Sequence, residues 1–286
     1  MPSLIDIRRR VRSVKNTQQI TKAMKMVSAA KLRKAQERAV ASRPYAKALR
    51  EMLANVAEAA AQSADGETHP LLAVRPEKKI LLVVVTADGG LAGGFNANLI
   101  KMAHKFAKDH NADDLSFELI GRKGRDYFKK RYRNIAGEHT DVFRNVTFDS
   151  AERIAQAVIE RFEKAEIDAV YLFVNEFKSV MSATLAQTRL LPIEVPKSAG
   201  PVDYIYEQKP EEILGSLLPR YLKVQIYKAL LESAAAYLAA RMTAMDAATR
   251  NAGEVIDKLT LYMNRVRQAS ITREIIEVVS GAAALD

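Results

Sequence analysis

The sequence predicts an α/β fold in which one compact domain is inserted between two long helices that pair as an antiparallel coiled coil. Three observations predict it: an apolar heptad stripe near the C-terminus, a long basic helical segment at the N-terminus, and buried strands alternating with helices between them. Because the helical segments lie at opposite ends of the chain, the intervening domain returns the chain and the pairing is antiparallel. We place the three parts at residues 1–65, 77–205 and 210–286.

The C-terminal helix is predicted from an unbroken seam of apolar or small residues. No proline follows Pro219, and Gly253 is the only glycine between Gly215 and Gly281, so nothing interrupts a helix sharply. Steps of four and three residues alternate over five heptads, which is the a/d pattern of a coiled coil. The seam consists of Leu231, Ala235, Leu238, Met242, Met245, Thr249, Ala252, Ile256, Leu259, Met263 and Val266.

Beyond this seam the helix stays apolar but leaves the heptad register. Ile275 and Val279 belong to this end, together with Ile271, Ile276 and Val278. Apolar residues that do not face the coil partner indicate contact with another protein.

The N-terminal helix is predicted because no glycine occurs between Ser3 and Ala64 and Pro44 is the only proline, at which the helix is expected to bend. Ser3 is a candidate N-cap. The expected apolar stripe changes phase after a polar turn and so winds round the helix. It comprises Leu4, Ile7, Val11 and Val14, then Ile20, Met24 and Val27.

Positive charge is concentrated in this N-terminal helix. Residues 1–50 carry fourteen Lys or Arg against Asp6 and Glu37, whereas the net charge of the whole chain is +10. We interpret the two acids as intrahelical ion-pair partners. The cations indicate a surface that attracts phosphates, anionic lipid or an acidic protein.

The middle of the chain is typical of a Rossmann-like α/β domain with a mostly parallel sheet. Residues 79–86 form a continuous apolar run, as in a strand buried on both faces. Further strands are predicted at 116–120, 168–174 and, at an edge, 184–191; helices are predicted at 96–110, 124–132 and 149–165. Prolines 192, 196, 201 and 210 mark the loop back to the C-terminal helix.

A glycine-rich loop at residues 88–96 (DGGLAGGFN) connects the first strand to a helix. This context suits a phosphate cradle, but the sequence is neither GxGxxG nor GxxxxGK[ST] and no phosphate-binding lysine is present. We favour the alternative that the glycines form a tight, closely packed strand-to-helix turn.

No catalytic or metal-binding pattern stands out. The absence of cysteine excludes disulfides, thiolate ligands and cysteine nucleophiles, and the four histidines lack ligand spacing. No Ser/His/Asp set or carboxylate pair is evident, and no apolar run reaches the roughly 20 residues of a membrane span. The residues alone therefore single out no catalytic site, no cofactor site and no metal site.

Four stretches resemble the gamma subunit family of F-type (rotary) ATP synthases, bacterial type. They are residues 13–27 (SVKNTQQITKAMKMV), 88–96, 240–249 (ARMTAMDAAT) and 264–274 (NRVRQASITRE). The family's glycine loop usually reads Asp-Arg-Gly-Leu-Cys-Gly-Gly-Phe-Asn, so this chain has Gly89 for the arginine and Ala92 for the cysteine. Without cysteine, it cannot use the redox switch of the photosynthetic versions.

The resemblance implies the central-stalk rotor of an ATP synthase. The helix pair would turn inside a hexamer of alpha and beta subunits and couple proton flow to ATP synthesis or hydrolysis. The α/β domain would contact the epsilon subunit and the c-subunit ring. It also implies a peripheral location on the cytoplasmic face of the cell membrane, with membrane association only through the complex and no nucleic-acid partner.

The resemblance, together with the helix patterns, assigns the candidate contact residues. Contacts with the beta and alpha subunits are expected from Lys22, Met24, Lys25, Arg241, Arg267 and Gln268. The hexamer sleeve would surround Ile275 and Val279, and the epsilon subunit and c ring would meet Tyr204 and Tyr206.

Two other classes of protein stay open from the residues alone. A nucleic-acid-binding coiled coil would bind with an affinity that falls steeply with salt, and it leaves the apolar C-terminal end unexplained. An α/β nucleotide-binding enzyme with helical extensions would bind ATP or a dinucleotide as an isolated chain.

Overall fold

A computed structural model describes residues 3–62, 69–110, 114–195 and 207–283. The two long helices are α1 (Leu4–Gln62) and α5 (Pro210–Ala283). Between them lie β1 (Lys79–Val85), α2 (Phe95–Asp109), β2 (Asp114–Ile120), α3 (Arg122–Phe128), β3 (Ile135–His139), α4 (Phe148–Glu163), β4 (Ala169–Ser179) and β5 (Ser182–Leu191). Short 3₁₀ turns occur at Pro70–Leu72 and Val142–Arg144. The predicted fold class, an α/β domain inserted between long terminal helices, is confirmed.

The helix ends follow local rules of capping. Ser3 and Asp6 form a capping box, in which the Ser3 hydroxyl accepts from the Asp6 N–H and the Asp6 carboxylate accepts from the Ser3 N–H. Helix α1 continues through Pro44. Helix α5 begins at Pro210, where proline suits the first turn because its missing N–H has no helical partner there. It also continues through Pro219.

The chain divides into two compact units, and both long helices contribute to each. The terminal unit comprises Met1–Ser28 and Met242–Asp286, and the central unit comprises Ala29–Arg241.

The terminal unit is an antiparallel helix pair. Lys25 bonds to Asp246, whereas Gln18, earlier in α1, bonds to Thr249, later in α5, so the two helices run in opposite directions. The α5 seam is confirmed here: each predicted position is buried or partly buried, namely Met242, Met245, Thr249, Ala252, Ile256, Leu259, Met263 and Val266.

The stripe predicted for α1 is wrong at Ile20 and Val27, after its first four residues. A four-and-three series of buried or half-buried positions continues instead as Gln18, Thr21, Lys25 and Ser28. Ile20 and Val27 point to solvent instead, with 60% and 56% exposure, and Met24 is half-buried. The phase does not change because a coiled-coil partner keeps one face of a helix buried, even where that face carries polar residues.

The central unit is built on a five-stranded sheet of order β3-β2-β1-β4-β5. Strands β3, β2, β1 and β4 are parallel, and β5 is an antiparallel edge strand, as expected for the fourth predicted strand. Strand β1 lies at the centre, and its residues Ile80–Val85 are at most 1% exposed. Strand β3 was not predicted from the sequence.

Helices cover the sheet with their apolar faces. On α2 the buried side chains of Leu99, Ala103 and Phe106 join a core with Phe117 and Phe173 of the strands. On α4 the buried positions recur at helical spacing, at Ala151, Ile154, Ala155, Val158, Ile159 and Phe162. This packing fixes the positions of the strand ends from which the loops and the β4–β5 hairpin extend.

Candidate interaction surfaces

The helix pair of the terminal unit contains a polar segment in its seam. Thr249 lies opposite Thr21, and their hydroxyl oxygens are 2.8 Å apart. The Thr249 hydroxyl also donates to the Met245 carbonyl at 2.7 Å, and the Gln18 side chain donates to the Thr249 carbonyl at 3.4 Å. Gln18 packs against Gly253, where an added Cβ would lie 3.3 Å from its amide nitrogen. Gln18, Thr21 and Thr249 are therefore paired across the helices.

The two candidate lysines of α1 differ in their surroundings. Lys25 Nζ lies 2.5 Å from Asp246 Oδ1, and the two side chains are 43% and 35% exposed. This hydrogen bond from Lys25 lowers the pKa of Asp246 below its ordinary value of 3.8. Lys22 is exposed and makes no ion pair within the part of the chain that the structure describes. Of these two lysines, Lys22 is therefore the one whose charge has no counter-ion in the described chain.

Apolar side chains accompany Lys22 on the exposed surface of α1. Ile20, Met26 and Val27 are 56–60% exposed. A helix pair that stood alone in water would bury its apolar residues and expose its polar ones, and this segment does the opposite. Such a surface indicates a protein contact.

The C-terminal end of α5 also exposes its apolar residues. The exposed fraction is 57% for Ile275 and 61% for Val279, and their neighbours Ile271, Ile276 and Val278 range from 48% to 73%. The expectation that these residues leave the seam is confirmed.

Arg267 and Gln268 are exposed directly after the last seam residue. Among the described residues neither side chain makes a hydrogen bond or ion pair, although the Gln268 carbonyl accepts from the Thr272 hydroxyl at 2.9 Å. Both side chains are thus available to a partner.

Arg241 of the central unit lies against Tyr237. Its Nη1 donates to the tyrosine hydroxyl at 3.2 Å, and its Nε is buried without a hydrogen-bond partner in the described chain. A Cβ added at Gly89 would clash with the same hydroxyl. Tyr237 therefore occupies the space that a larger side chain at position 89, such as arginine, would require.

The glycine loop has the contacts of a packed turn. Asn96 accepts from the Ala87 N–H at 2.9 Å and donates to the Gly89 carbonyl at 3.1 Å, so its side chain joins the two ends of the loop. Asp88 accepts from the backbone N–H groups of Arg122 and Asp141 at 3.1 and 3.0 Å. These contacts support the packing interpretation that we favoured.

An ion pair between exposed Arg43 and buried Glu232, which the sequence analysis missed, anchors the β4–β5 hairpin. Arg43 Nε donates to Glu232 Oε1 at 2.8 Å, and Glu232 Oε2 accepts from the Phe177 N–H at 3.1 Å. Arg43 Nη2 also donates to the Phe177 carbonyl at 3.1 Å. The hydrogen bond to Glu232 raises the pKa of Arg43. A lone acid within the otherwise uncharged run Ala229–Ala240 was the available signal for this pair.

The remaining expectations concern the loop before α5, metals and membranes. Tyr204 and Tyr206 lie outside the described residues. Where the structure describes the chain, no group of three or more His, Cys, Asp or Glu could hold a metal ion. No described helix combines the length and apolarity needed to cross a membrane.

The two acids of the basic α1 segment differ in their partners. Glu37 pairs with Arg33 at 3.3 Å as expected, whereas Asp6 belongs to the capping box.

Comparisons with known proteins cover almost the whole chain. A family model described as ATP synthase matches residues 3–285. The chain is 62% identical over 286 residues to the ATP synthase gamma chain of Solibacter usitatus, with all of both chains covered. It is 49% identical over 289 residues to the ATP synthase gamma chain of Pelotomaculum thermopropionicum, again over all of both chains.

Solved structures give the same picture of the fold. The central stalk and c-ring structure of the Tetrahymena thermophila mitochondrial ATP synthase contains a chain with a TM-score of 0.62 and 26% identity, covering 80% of this chain and 99% of that one. The rotor structure of the Euglena gracilis mitochondrial ATP synthase contains one with a TM-score of 0.68 and 17% identity, covering 94% and 98%. At that identity the likeness to the Euglena chain concerns the fold alone.

Proposed function

Because this chain belongs to the ATP synthase gamma chain family, we propose that it is the central-stalk rotor subunit of an F-type ATP synthase. It couples proton flow through the c-subunit ring to ATP synthesis or hydrolysis on the beta subunits. The chain itself is a non-catalytic subunit. The full-length identity of 62% to a gamma chain is the observation that carries this conclusion.

The geometry of the terminal unit supports a shaft that turns inside a ring of partners. Its helices pair through a regular seam, while apolar residues on α1 and at the end of α5 stay exposed. Exposed apolar surface without directional hydrogen bonds suits a contact that slides, because apolar attraction is not directional. We assign Ile275 and Val279 to the sleeve formed by the alpha and beta subunits.

Polar contacts with the same subunits are assigned to residues that face solvent. Lys22, Arg267 and Gln268 are exposed, and Met24 is partly so. Lys25 already bonds to Asp246, and Arg241 bonds to Tyr237. To contact a beta subunit, each side chain would have to bind the subunit and its internal partner at the same time. Epsilon and the c ring remain the proposed partners of Tyr204 and Tyr206.

We place the chain at the cytoplasmic face of the cell membrane as a peripheral subunit, held there by the complex. The basic α1 segment then faces acidic protein surface rather than nucleic acid. The exposed apolar residues among its cations favour this assignment, since phosphate binding alone does not require them.

Co-purification tests the function directly. The untagged chain, expressed with the remaining subunits in a host that lacks its own gamma chain, should purify in a complex that hydrolyses ATP. Omitting this chain should abolish coupled proton pumping in membrane vesicles. A chain that enters no ATPase complex, or a complex that pumps equally well without it, contradicts the proposal.

A further inference from the structure

The outer surface of α2, α3 and the turn after α3 is strongly basic. Residues 95–133 carry ten Lys or Arg against five Asp or Glu. Three of these cations, Arg122, Arg125 and Lys129, lie 2.7–3.7 Å from a carboxylate. The other seven are exposed and make no ion pair among the described residues. They form the basic face: Lys101, Lys105, Lys108, Lys123, Lys130, Arg131 and Arg133.

The cations of the two helices belong to one surface. Helices α2 and α3 contact each other and share one core with the strands. The Tyr132 hydroxyl bonds to His104 Nδ1 at 3.0 Å. Burial lowers the pKa of His104, and the charges of Lys108 from α2 and of Arg131 lower it further. Cations from both elements therefore act on the same side chain and lie close enough to bind one partner together.

Nearby acids do not balance the basic face. Asp109 at the end of α2 is exposed, and Asp113 and Asp114 follow it in the sequence. Counting all three against the seven cations still leaves an excess of four positive charges. Glu118 is not available to them, because its buried carboxylate bonds to His139. The excess charge favours an anionic partner.

The basic face has no apolar centre. None of the large apolar side chains of α2, of α3 or of residues 129–133 is exposed; Met102, Tyr127 and Tyr132 are partly buried and the others are buried. Stable protein contacts depend on aromatic and aliphatic side chains at their centre. A layer of phosphate groups requires only exposed cations, so the composition favours lipid headgroups over a protein partner.

The basic face reaches one end of the sheet. Residues 129–133 lead into β3, and α2 leads into β2, so both approach the end where the parallel strands begin. The chain also leaves β5 at this end, because Leu191 pairs with Val170 at the start of β4. Tyr204 and Tyr206, the proposed contacts of the c ring, follow in the sequence. The proposed function therefore orients this end of the sheet towards the membrane.

We propose that the basic face binds the phosphate groups of anionic phospholipids at the membrane surface. Its Lys and Arg side chains pair with several headgroups at once and need no pocket for a single lipid. Such a contact can move over the lipid surface as the rotor turns, because it depends on charge and not on one fixed geometry. It adds to the attachment that the other subunits provide.

Photo-crosslinking in the assembled complex tests the lipid contact. A photoreactive phenylalanine analogue replaces Asp109, which is exposed next to Lys108, so that no cation is lost. The matched control replaces Glu166, an exposed acid in the turn before β4 at the same end of the sheet. In vesicles of equal parts phosphatidylcholine and phosphatidylglycerol, mass spectrometry should detect a phospholipid adduct at position 109. Its yield should exceed that at position 166 by about tenfold or more.

The adduct should require anionic headgroups. In vesicles of phosphatidylcholine alone its yield should fall by about tenfold, because this lipid has no net charge. Equal yields in both kinds of vesicle, equal yields at positions 109 and 166, or a crosslink to protein only would overturn the proposal. Duplex DNA added at the same phosphate concentration should leave the adduct in place, and its loss would assign the face to nucleic acid instead.

Charge reversal gives a second, independent readout. Lys105→Glu with Lys130→Glu should reduce the adduct at position 109 by about tenfold or more, since anions would then face anionic headgroups. Arg153→Glu with Lys178→Glu makes the same change of net charge at exposed positions of α4 and β4 and should leave the yield unchanged. Equal yields from the two variants would contradict a contact made by the basic face.

The inference rests on the proposed function, because only the complex brings this end of the sheet to the membrane. If the labelled chain enters no complex with ATPase activity, the proposed function fails and the lipid contact with it. If an active complex forms and position 109 yields no lipid adduct, the lipid contact alone is overturned.

Discussion

At the scale of single residues, Glu232 illustrates how one side chain joins three elements. Its carboxylate accepts hydrogen bonds from Arg43 of α1 and from the Phe177 N–H of β4, while its own backbone is part of α5. Glu232 is 6% exposed, whereas Arg43 is 44% exposed. The buried carboxylate has lost its contact with water and needs these hydrogen bonds to offset that loss, whereas Arg43 still reaches water.

Replacing Glu232 by Gln should lower the free energy of unfolding by about 2 kcal/mol, since the charged acceptor of three hydrogen bonds is lost and Arg43 keeps partial access to water. Urea denaturation of the isolated chain measures this value. The control Glu58→Gln, at an exposed position of α1, should change it by less than about 0.5 kcal/mol. Equal effects of the two substitutions would contradict the role of the ion pair.

Lys22 and Lys25 should respond differently to charge reversal. Lys22→Glu should leave the stability within about 0.5 kcal/mol of wild type, because Lys22 is exposed and unpaired among the described residues. It should reduce proton pumping per ATP in vesicles if acidic loops of the beta subunits lie nearby. Lys25→Glu should also weaken the helix pair, because it places an anion beside Asp246. Wild-type pumping by Lys22→Glu would count against the contact.

The pair Arg267 and Gln268 should affect turnover but not folding. Changing both to Leu removes a forked cationic donor and an amide that are exposed next to the seam. Steady-state ATP hydrolysis by the assembled complex should fall several-fold, whereas Lys258→Leu, at an exposed position of the same helix, should retain the wild-type rate. The assignment fails if the double variant assembles and both hydrolyses and synthesises ATP normally.

At the scale of elements, the α1–α5 pair combines a regular apolar seam with a short polar segment. A buried polar position in a coiled coil fixes the register of the helices at a cost in stability. Thr21, Thr249 and the Lys25–Asp246 pair are the contacts that set it in the terminal unit. A slip of either helix would leave these groups without partners.

The Lys25–Asp246 pair should make the terminal unit sensitive to acid. The folded-state pKa of Asp246 lies below its ordinary value of 3.8, so its contribution is present above about pH 4 and is lost as the pH falls through the lowered pKa. Asp246→Asn should therefore reduce the loss of stability on acidification from pH 5 to pH 2, measured by urea unfolding. The exposed control Asp257→Asn should retain the wild-type pH dependence, and an identical profile for both variants would exclude this role.

At the scale of the whole molecule, the chain combines a Rossmann-like sheet with no phosphate-binding loop. The glycine loop is occupied by its own contacts, through Asn96 at its two ends and Tyr237 against Gly89. As a member of the ATP synthase gamma chain family, the chain is a non-catalytic subunit, and catalysis takes place on the beta subunits.

The isolated chain should neither bind nor hydrolyse ATP. It lacks the phosphate-loop lysine and any evident magnesium ligand set, so calorimetry with MgATP should show no binding at micromolar nucleotide. Hydrolysis should appear only in the complex. Micromolar binding by the chain alone would contradict the rotor assignment of this domain.

The sequence by itself determined those features that depend on periodicity along the chain. The four-and-three steps of the α5 seam, the apolar run of β1 and the off-register apolar end near Ile275 were all readable, because side-chain spacing alone selects a helix face or a buried strand. Four specific stretches were sufficient to indicate the family.

Tertiary structure alone decided which polar residues are buried and which apolar ones are not. Thr21 and Ser28 are 8% and 3% exposed because they lie on the face of α1 that packs against α5 along the terminal unit. Ile20 lies on another face and is exposed. Strand β3, with only Ile135 as a large apolar residue, forms because its backbone pairs with β2. The Arg43–Glu232 bond joins residues 189 positions apart. It forms because three elements pack together, and the sequence near either residue does not predict that packing.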